Sequence, residues 1–269
     1  MRGDNLMFID ISKAKRVFEN YVDKYDLSQQ KIKYKLQHAY RVANISRKIA
    51  EDLKLDDENI ELAELIGLLH DIGRFEQVKI YNTYNDAISI DHADKGVEVL
   101  FEKGLIRNFL DTKKYDNTIK IAIINHNKYK IDESIKDENI LMHSKIIRDA
   151  DKTDIFYSQT VVDYNILFDC NDVSKQKISK EILEGFLKYK PVPYSQIKTP
   201  IDNIVNHISF VFDVNYEPSL QIIKNSNYIN KTVDRVEYKL EDTRESMQKI
   251  KNIANQYIEQ RLSSNNIAG

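Results

Sequence analysis

An all-α fold is what this sequence predicts, and three observations carry the prediction. The 269 residues include only seven glycines and four prolines, with no proline before Pro191, so the chain is short of the residues that turn a β-rich fold. Apolar residues recur at offsets of three and four over long stretches, the period of a helix face rather than of a strand. Hydrophobic residues make up 42% of the chain, which is enough for a substantial core in one large domain or two small ones.

Residues 12 to 25 read as a first short helix, and Ser28 is placed to cap a second that runs to about Leu53. On that second helix Val42, Ile45 and Ile49 share a stripe with His38, so the histidine faces inward. The third helix, from about Asp57 to Ile72, carries Ile60, Ala63, Ile66 and Leu69. It is expected to end at Gly73 as a left-handed cap, which puts His70 and Asp71 in its last turn. From Phe75 to Ile90 the polar and aromatic run shows no sustained helical period and is expected to be a loop.

Asp91 caps the next helix, with His92 in its first turn and Lys95, Gly96 and Val99 on the same side. Gly96 is expected to allow a close approach there. A helix from about Asp116 to Tyr129 aligns Ile119, Ala122 and Ile123 with His126. Another, from Asp137 to about Tyr157, aligns Ile140, Ile147 and Ile155 with Asp151.

After residue 157 the character changes. Asp169 to Pro200 is broken by polar runs and the turn-forming KPVPY, then a helix is expected from Ile201 to Asp213 and a long one from Thr232 to about Leu262. Val233, Val236, Leu240, Met247, Ile250, Ala254 and Tyr257 hold a heptad-like spacing interrupted at Thr243. Such a stripe packs on its own domain or, alternatively, forms the seam of a homodimer. The expected organisation is a metal-binding helical core over residues 1–160 and a helical extension over 161–269 packed on the same domain.

Composition narrows the function. Forty basic and forty-two acidic residues give a formal charge of −2, so there is no broad surface for gripping nucleic acid, although a small anion needs only a local cation cluster. Cys170 is the single cysteine and cannot form an intrachain disulfide. The opening MRGDNLMFIDISKAKR lacks the apolar run of a leader and no stretch has transmembrane length, so a cytoplasmic protein without a membrane partner is expected. No glycine-rich phosphate loop and no internal repeat occurs.

The chemistry concentrates in six inward-facing residues: His38, His70, Asp71, His92, His126 and Asp151. Imidazoles and carboxylates kept from water need a partner, and one or two metal ions would satisfy all six. Asp71 has two oxygens and can bridge two cations, whereas a histidine nitrogen binds one. His38, His70, Asp71 and Asp151 would then form a first site, and Asp71, His92 and His126 a second. Mixed imidazole and carboxylate ligands without thiolate suit iron, manganese, nickel, cobalt or zinc, with iron or manganese preferred for a carboxylate-bridged pair.

The contexts LLHDIGRFE, HADKG, INHN and RDADKTD, in that order behind His38, resemble the HD-domain metal-dependent phosphohydrolase superfamily. The resemblance spans residues from about 30 to 160. It implies a helical bundle whose central cleft holds one or two metals on these six ligands. The simplest members use only the first histidine, the His-Asp pair and the last aspartate, while His92 and His126 resemble the extra ligands of a two-metal branch. It also implies hydrolysis of a nucleotide or other small phosphate ester by a metal-held water, with Asp71 and Arg74 as the catalytic candidates.

Arg74 follows the His-Asp run where many relatives carry lysine or arginine; it pairs with a substrate phosphate or forms a structural salt bridge. Two other outcomes belong to the same resemblance: a di-iron oxygenase, and a non-catalytic signalling or scaffold module. The glycine-tyrosine-proline signature of cyclic-dinucleotide hydrolases is absent, and the other signatures of alarmone hydrolases are not evident.

Around this set, Lys95 and Lys152 extend the anion site or are solvated charges. Asp154 orients a ligand histidine or lies on the surface. His143 is an alternative to His126, His207 reads as a core residue, and Tyr81 and Tyr84 line the mouth or cover a core edge.

Overall fold

The computed structural model describes residues 9–264; the opening MRGDNLMF lies outside them. Among the described residues the regular structure is helical throughout, with no strand. The chain divides into two compact units, one ending at Asp151 and the other beginning at Lys152. The expected boundary at residue 160 lies at the end of the helix that contains this division.

In the first unit, helix α1 (Ile11–Val22) is capped by Asp10, whose carboxylate accepts from Lys13 N at 2.7 Å. Helix α2 (Gln30–Asp52) buries His38, Val42 and Ile49 on one face as expected. Its cap is Gln29 rather than Ser28 and makes no side-chain hydrogen bond. The Ser28 hydroxyl is drawn backward instead, to Asp26 at 2.6 Å.

Helix α3 (Asp57–Leu69) starts on an Asp56 cap and is buried without interruption from Leu62 to its end. It packs along α2 so closely that a Cβ at Gly67 would meet Ala43 Cα at 2.8 Å and Val42 O at 2.9 Å. This pairing sets His70 and Asp71 beside His38.

The next two expectations fail for one reason. Gly73 is not a left-handed cap, because it opens helix α4 (Gly73–Tyr81), and its φ is not positive. The stretch from Phe75 that reads as a loop is therefore helical to Tyr81, and only its remainder, with a 3-10 turn at Asp86–Ile88, is irregular. A nine-residue helix offers about two turns, too few for a period to emerge from the sequence. Gly73 is needed for space: a Cβ there would meet His92 O at 2.2 Å and Gly96 N at 2.5 Å. Gly96, expected to be the close-approach glycine, would accept a Cβ with no neighbour nearer than 3.5 Å.

Helix α5 (His92–Val97) begins on Asp91, whose carboxylate accepts from Ala93 N and Asp94 N as expected, and passes into a π-helical turn at Glu98–Glu102. After the short α6 (Ile106–Phe109), helix α7 (Asp116–His126) packs against α3 and α5 and ends on its histidine. Helix α8 (Glu138–Val161) carries Asp151. Buried Arg148 on α8 donates to the carbonyls of Asn125 at 2.8 Å and Lys128. It thereby satisfies carbonyl groups around the end of α7 that lack helical partners and ties His126 to the helix of Asp151.

The second unit has its own apolar core of Phe156, Phe186, Ile204, Ile208, Leu220, Met247 and their neighbours. It adds α9 (Tyr164–Phe168), α10 (Lys180–Leu187), α11 (Pro200–Ser209), α12 (Glu217–Asn225), α13 (Tyr228–Asp234) and α14 (Glu241–Ser264). Helix α11 starts with a capping box of Thr199 and Asp202 and Pro200 in its first turn.

The single long helix expected from Thr232 is two helices. Between them Lys239 N bonds to Ser174 O at 2.9 Å and Tyr238 is buried, so that segment is committed to tertiary contacts. The apolar stripe on α13 and α14 is spent on this core, with Val233, Met247, Ile250 and Ala254 all buried in it. No described helix is long and apolar enough to cross a membrane.

Candidate metal centre

All six predicted ligands converge within the first unit. The C-terminal end of α3 brings His70 and Asp71, α2 brings His38, the first turn of α5 brings His92, the last residue of α7 is His126, and α8 brings Asp151. Five of the six are no more than 5% exposed, and the Asp151 side chain is 18% exposed.

Asp71 sits between two pairs of imidazoles. Its Oδ2 lies 3.4 Å from His38 Nε2 and 3.6 Å from His70 Nε2. Its Oδ1 lies 3.3 Å from His92 Nε2 and 3.7 Å from His126 Nε2. Asp151 Oδ1 joins the first pair, 3.2 Å from His38 Nε2 and 3.7 Å from His70 Nε2.

Tautomers follow from the outer partners. His70 Nδ1 faces the Gly67 carbonyl at 2.8 Å, His126 Nδ1 the Ile123 carbonyl at 2.6 Å, and His92 Nδ1 the Asp86 carboxylate at 2.6 Å. A carbonyl or carboxylate oxygen only accepts, so each Nδ1 donates, and the Nε2 of each neutral ring presents a lone pair inward. The Nε2 atoms of His92 and His126 are 3.0 Å apart, those of His38 and His70 3.3 Å apart. Asp71 Oδ1, fully buried, has no hydrogen-bond partner. Lone pairs aimed at one another and at an orphaned carboxylate oxygen repel unless a cation lies among them, so this donor set fits divalent metal.

The protonation states agree. Burial pushes the His70 imidazole down, and burial with the nearby Arg74 pushes His92 down to about 4. Burial alone would raise Asp71, but Lys35, His70 and Arg74 beside it outweigh burial and hold the carboxyl well below the usual range. Asp151 is likewise held low against burial, by His38 and His70. Neutral imidazoles and ionised carboxylates are the forms in which these groups bind metal.

Arg74 is committed to the frame of the site. Its Nη1 donates to Gln77 Oε1 and the Tyr84 carbonyl at 2.7 Å and to Asp86 Oδ1 at 2.8 Å, while its Nε lies 3.4 Å from Asp71 Oδ1. The structural salt bridge weighed for it is therefore present. Tyr84 comes to the site, with its ring 5.9 Å from the Arg74 guanidinium and its hydroxyl donating to Lys31 O at 2.6 Å. Tyr81 is 45% exposed on α4.

His143 does not join the cluster: its Nε2 bonds to Asn59 Oδ1 at 3.0 Å. The Lys95 ammonium pairs with Glu98 at 2.8 Å, and Lys152 with Asp213. Asp154 is fully buried rather than on the surface, and accepts from Ser158 Oγ at 3.4 Å. His207 is a core residue, its Nδ1 2.7 Å from Gln159 Nε2 and its ring against Phe168 and Phe210. An open cleft of about 680 Å³ lined by Lys15, Arg47, Glu61 and Glu64 holds none of the six; Glu64 already pairs there with Lys15 at 2.7 Å and Arg47 at 2.9 Å.

Two contributors escape a reading by motif. Asp86, in the irregular stretch after α4, supports His92 and is held low, against burial, by His92, Arg74 and Gln77. Asp86, Asp91 and His92 also fall within ligand distance of one another, but Asp91 is occupied by Lys128 at 2.7 Å and by the start of α5, so this outer group supports the imidazole. Lys35 is buried, with its ammonium 2.6 Å from Asp71 Oδ2. Its position three residues before His38 is the signal that places it on the same face.

Residues 36–155, which contain all six candidate ligands, match the family model of the HD domain. This segment is similar to the HD domain, and its buried histidine and aspartate cluster fits an HD-type metal site. Metal-dependent hydrolases are typical of this family. No curated protein and no solved structure matches the chain.

Proposed function

We propose that this protein is a metal-dependent phosphohydrolase or phosphodiesterase acting on a nucleotide or other small phosphate ester. One observation carries the reading: each oxygen of Asp71 faces a different imidazole pair, at 3.3 to 3.7 Å, which suits two cations bridged by one carboxylate. We favour iron or manganese, because a carboxylate bridge with imidazoles and no thiolate suits them. When bound, such ions neutralise phosphate oxygens and render a water acidic enough to act as nucleophile near neutral pH.

The chain's own residues supply the rest. The Gly67 and Ile123 carbonyls and Asp86 fix three imidazole tautomers, so no ring must turn or lose a proton to present Nε2. Arg74, Lys35 and the ring of Tyr84 form a cationic border beside Asp71, which suits an anionic substrate.

The test is a panel of nucleotides and aryl phosphate mono- and diesters presented to protein loaded with manganese or with iron. Metal-dependent release of phosphate or nucleoside, lost in Asp71→Ala, is expected. Fully loaded protein that releases neither would overturn the reading. Substrate-dependent oxygen consumption in place of hydrolysis would move the assignment to a di-iron oxygenase.

A further inference from the structure

We propose that Lys35 is a substrate-binding residue of this centre, taking a phosphate oxygen of the ester alongside Arg74; the proposal rests on the phosphate-ester reading above. Lysine is seldom buried unless paired, yet the Lys35 side chain is only 10% exposed and points from α2 into the site. Its ammonium has three N–H donors. One of them reaches Asp71 Oδ2 at 2.6 Å. The remaining contacts are ring faces, Tyr34 at 5.6 Å and Tyr84 at 5.1 Å to the centroids, which hold a cation without accepting a conventional hydrogen bond.

The same Tyr84 ring also carries Arg74 at 5.9 Å, so two cations meet at one aromatic surface beside one carboxylate. Their conditions differ. Arg74 is fastened through Nη1 to Gln77, the Tyr84 carbonyl and Asp86. Lys35 has one acceptor and donors to spare. The oxygen it holds is the one that faces His38 and His70, which places the ammonium at the edge of that ligand group. An ester phosphate presents several anionic oxygens, and a flexible point charge beside a fixed guanidinium is suited to take one of them. Lys35 thus adds substrate charge recognition to a helix that also supplies a metal ligand.

The experiment measures binding of inorganic phosphate by calorimetry to metal-loaded wild type, Lys35→Met and Lys35→Arg, with the metal content of each determined. Lys35→Met is expected to keep its metal and to bind phosphate about tenfold more weakly or worse, the scale of one charged hydrogen bond. For an ester substrate KM should rise more than kcat falls, and Lys35→Arg should recover most of the binding. Phosphate binding by metal-loaded Lys35→Met as tight as wild type would overturn the proposal, leaving Lys35 a counter-ion for Asp71. So would a loss of metal from Lys35→Met that accounts for the weaker phosphate binding. The outcomes separate from those of the hydrolase reading: Lys35-dependent phosphate binding without hydrolysis of any ester removes only the hydrolase, whereas hydrolysis with unchanged phosphate affinity removes only the role of Lys35.

Discussion

At His92 the two ring nitrogens have separate tasks, and Asp86 governs both. By accepting from Nδ1 at 2.6 Å it leaves Nε2 unprotonated toward Asp71 and fixes the plane of the ring. Asp86→Ala is expected to weaken metal binding about 10- to 100-fold, read by competition with a chromogenic chelator; wild-type affinity would show that α5 alone orients the ring. His143 makes a prediction of a different kind. Burial lowers its imidazole to about 4, against an opposing pull from Asp56, and its Nδ1 is buried without a hydrogen-bond partner. Between the ordinary 6.5 and about 4 the unfolded chain accepts a proton that the folded protein refuses. Stability is therefore present above that window and lost as pH falls through it, by roughly 3 kcal/mol. His143→Gln should lose less stability on acidification than wild type in urea melts across the window, and an identical pH slope would contradict the argument. The inward direction of His38, His92, His126 and Asp151 was legible from apolar neighbours at helical offsets. Lys35 was less so, because a lysine on a helix is by default a solvated charge, and its place three residues before His38 marks a shared face but not the carboxylate 36 residues away.

Among the elements, the approach of α4 to α5 positions Asp71 against His92, and Gly73 permits it. Its missing side chain leaves room for the His92 carbonyl, so Gly73→Ala must push α5 away and is expected to cost at least ~2 kcal/mol along with metal affinity. Gly96→Ala on the facing helix meets only ordinary contacts and should be neutral or slightly stabilising, since alanine favours a helix. Thermal melts of the two variants decide between them, and equal stability would refute the packing argument. The sequence misplaces the ends here because glycine can signal a helix stop or a close crossing, and only the neighbouring backbone distinguishes the two. Likewise the spacing of Val233, Val236 and Leu240 continues a helical pattern through a segment where the chain leaves the helix, its backbone and Tyr238 being engaged elsewhere. A pattern of burial survives a break whenever both sides face the same core.

For the whole molecule, the division of labour is clear within each unit. The first holds all six candidate ligands, and the family match covers them; the second closes a separate apolar core over the stripe that had suggested a dimer seam. The helical class was readable from scarce glycine and proline, and the ligand order from the motifs. The sharing of Asp71 between two imidazole pairs was foreshadowed by chemistry alone, since only a carboxylate among these residues offers two ligand oxygens. That bridging role is the central claim. Its most direct test is elemental analysis of protein purified without chelator, wild type beside Asp71→Ala, with the folded state of both checked by circular dichroism. The account predicts about two iron or manganese atoms per wild-type chain and loss of both in the folded variant, because each half of the site shares Asp71. Wild type that holds no metal even after reconstitution, or a folded Asp71→Ala that retains two, would contradict it.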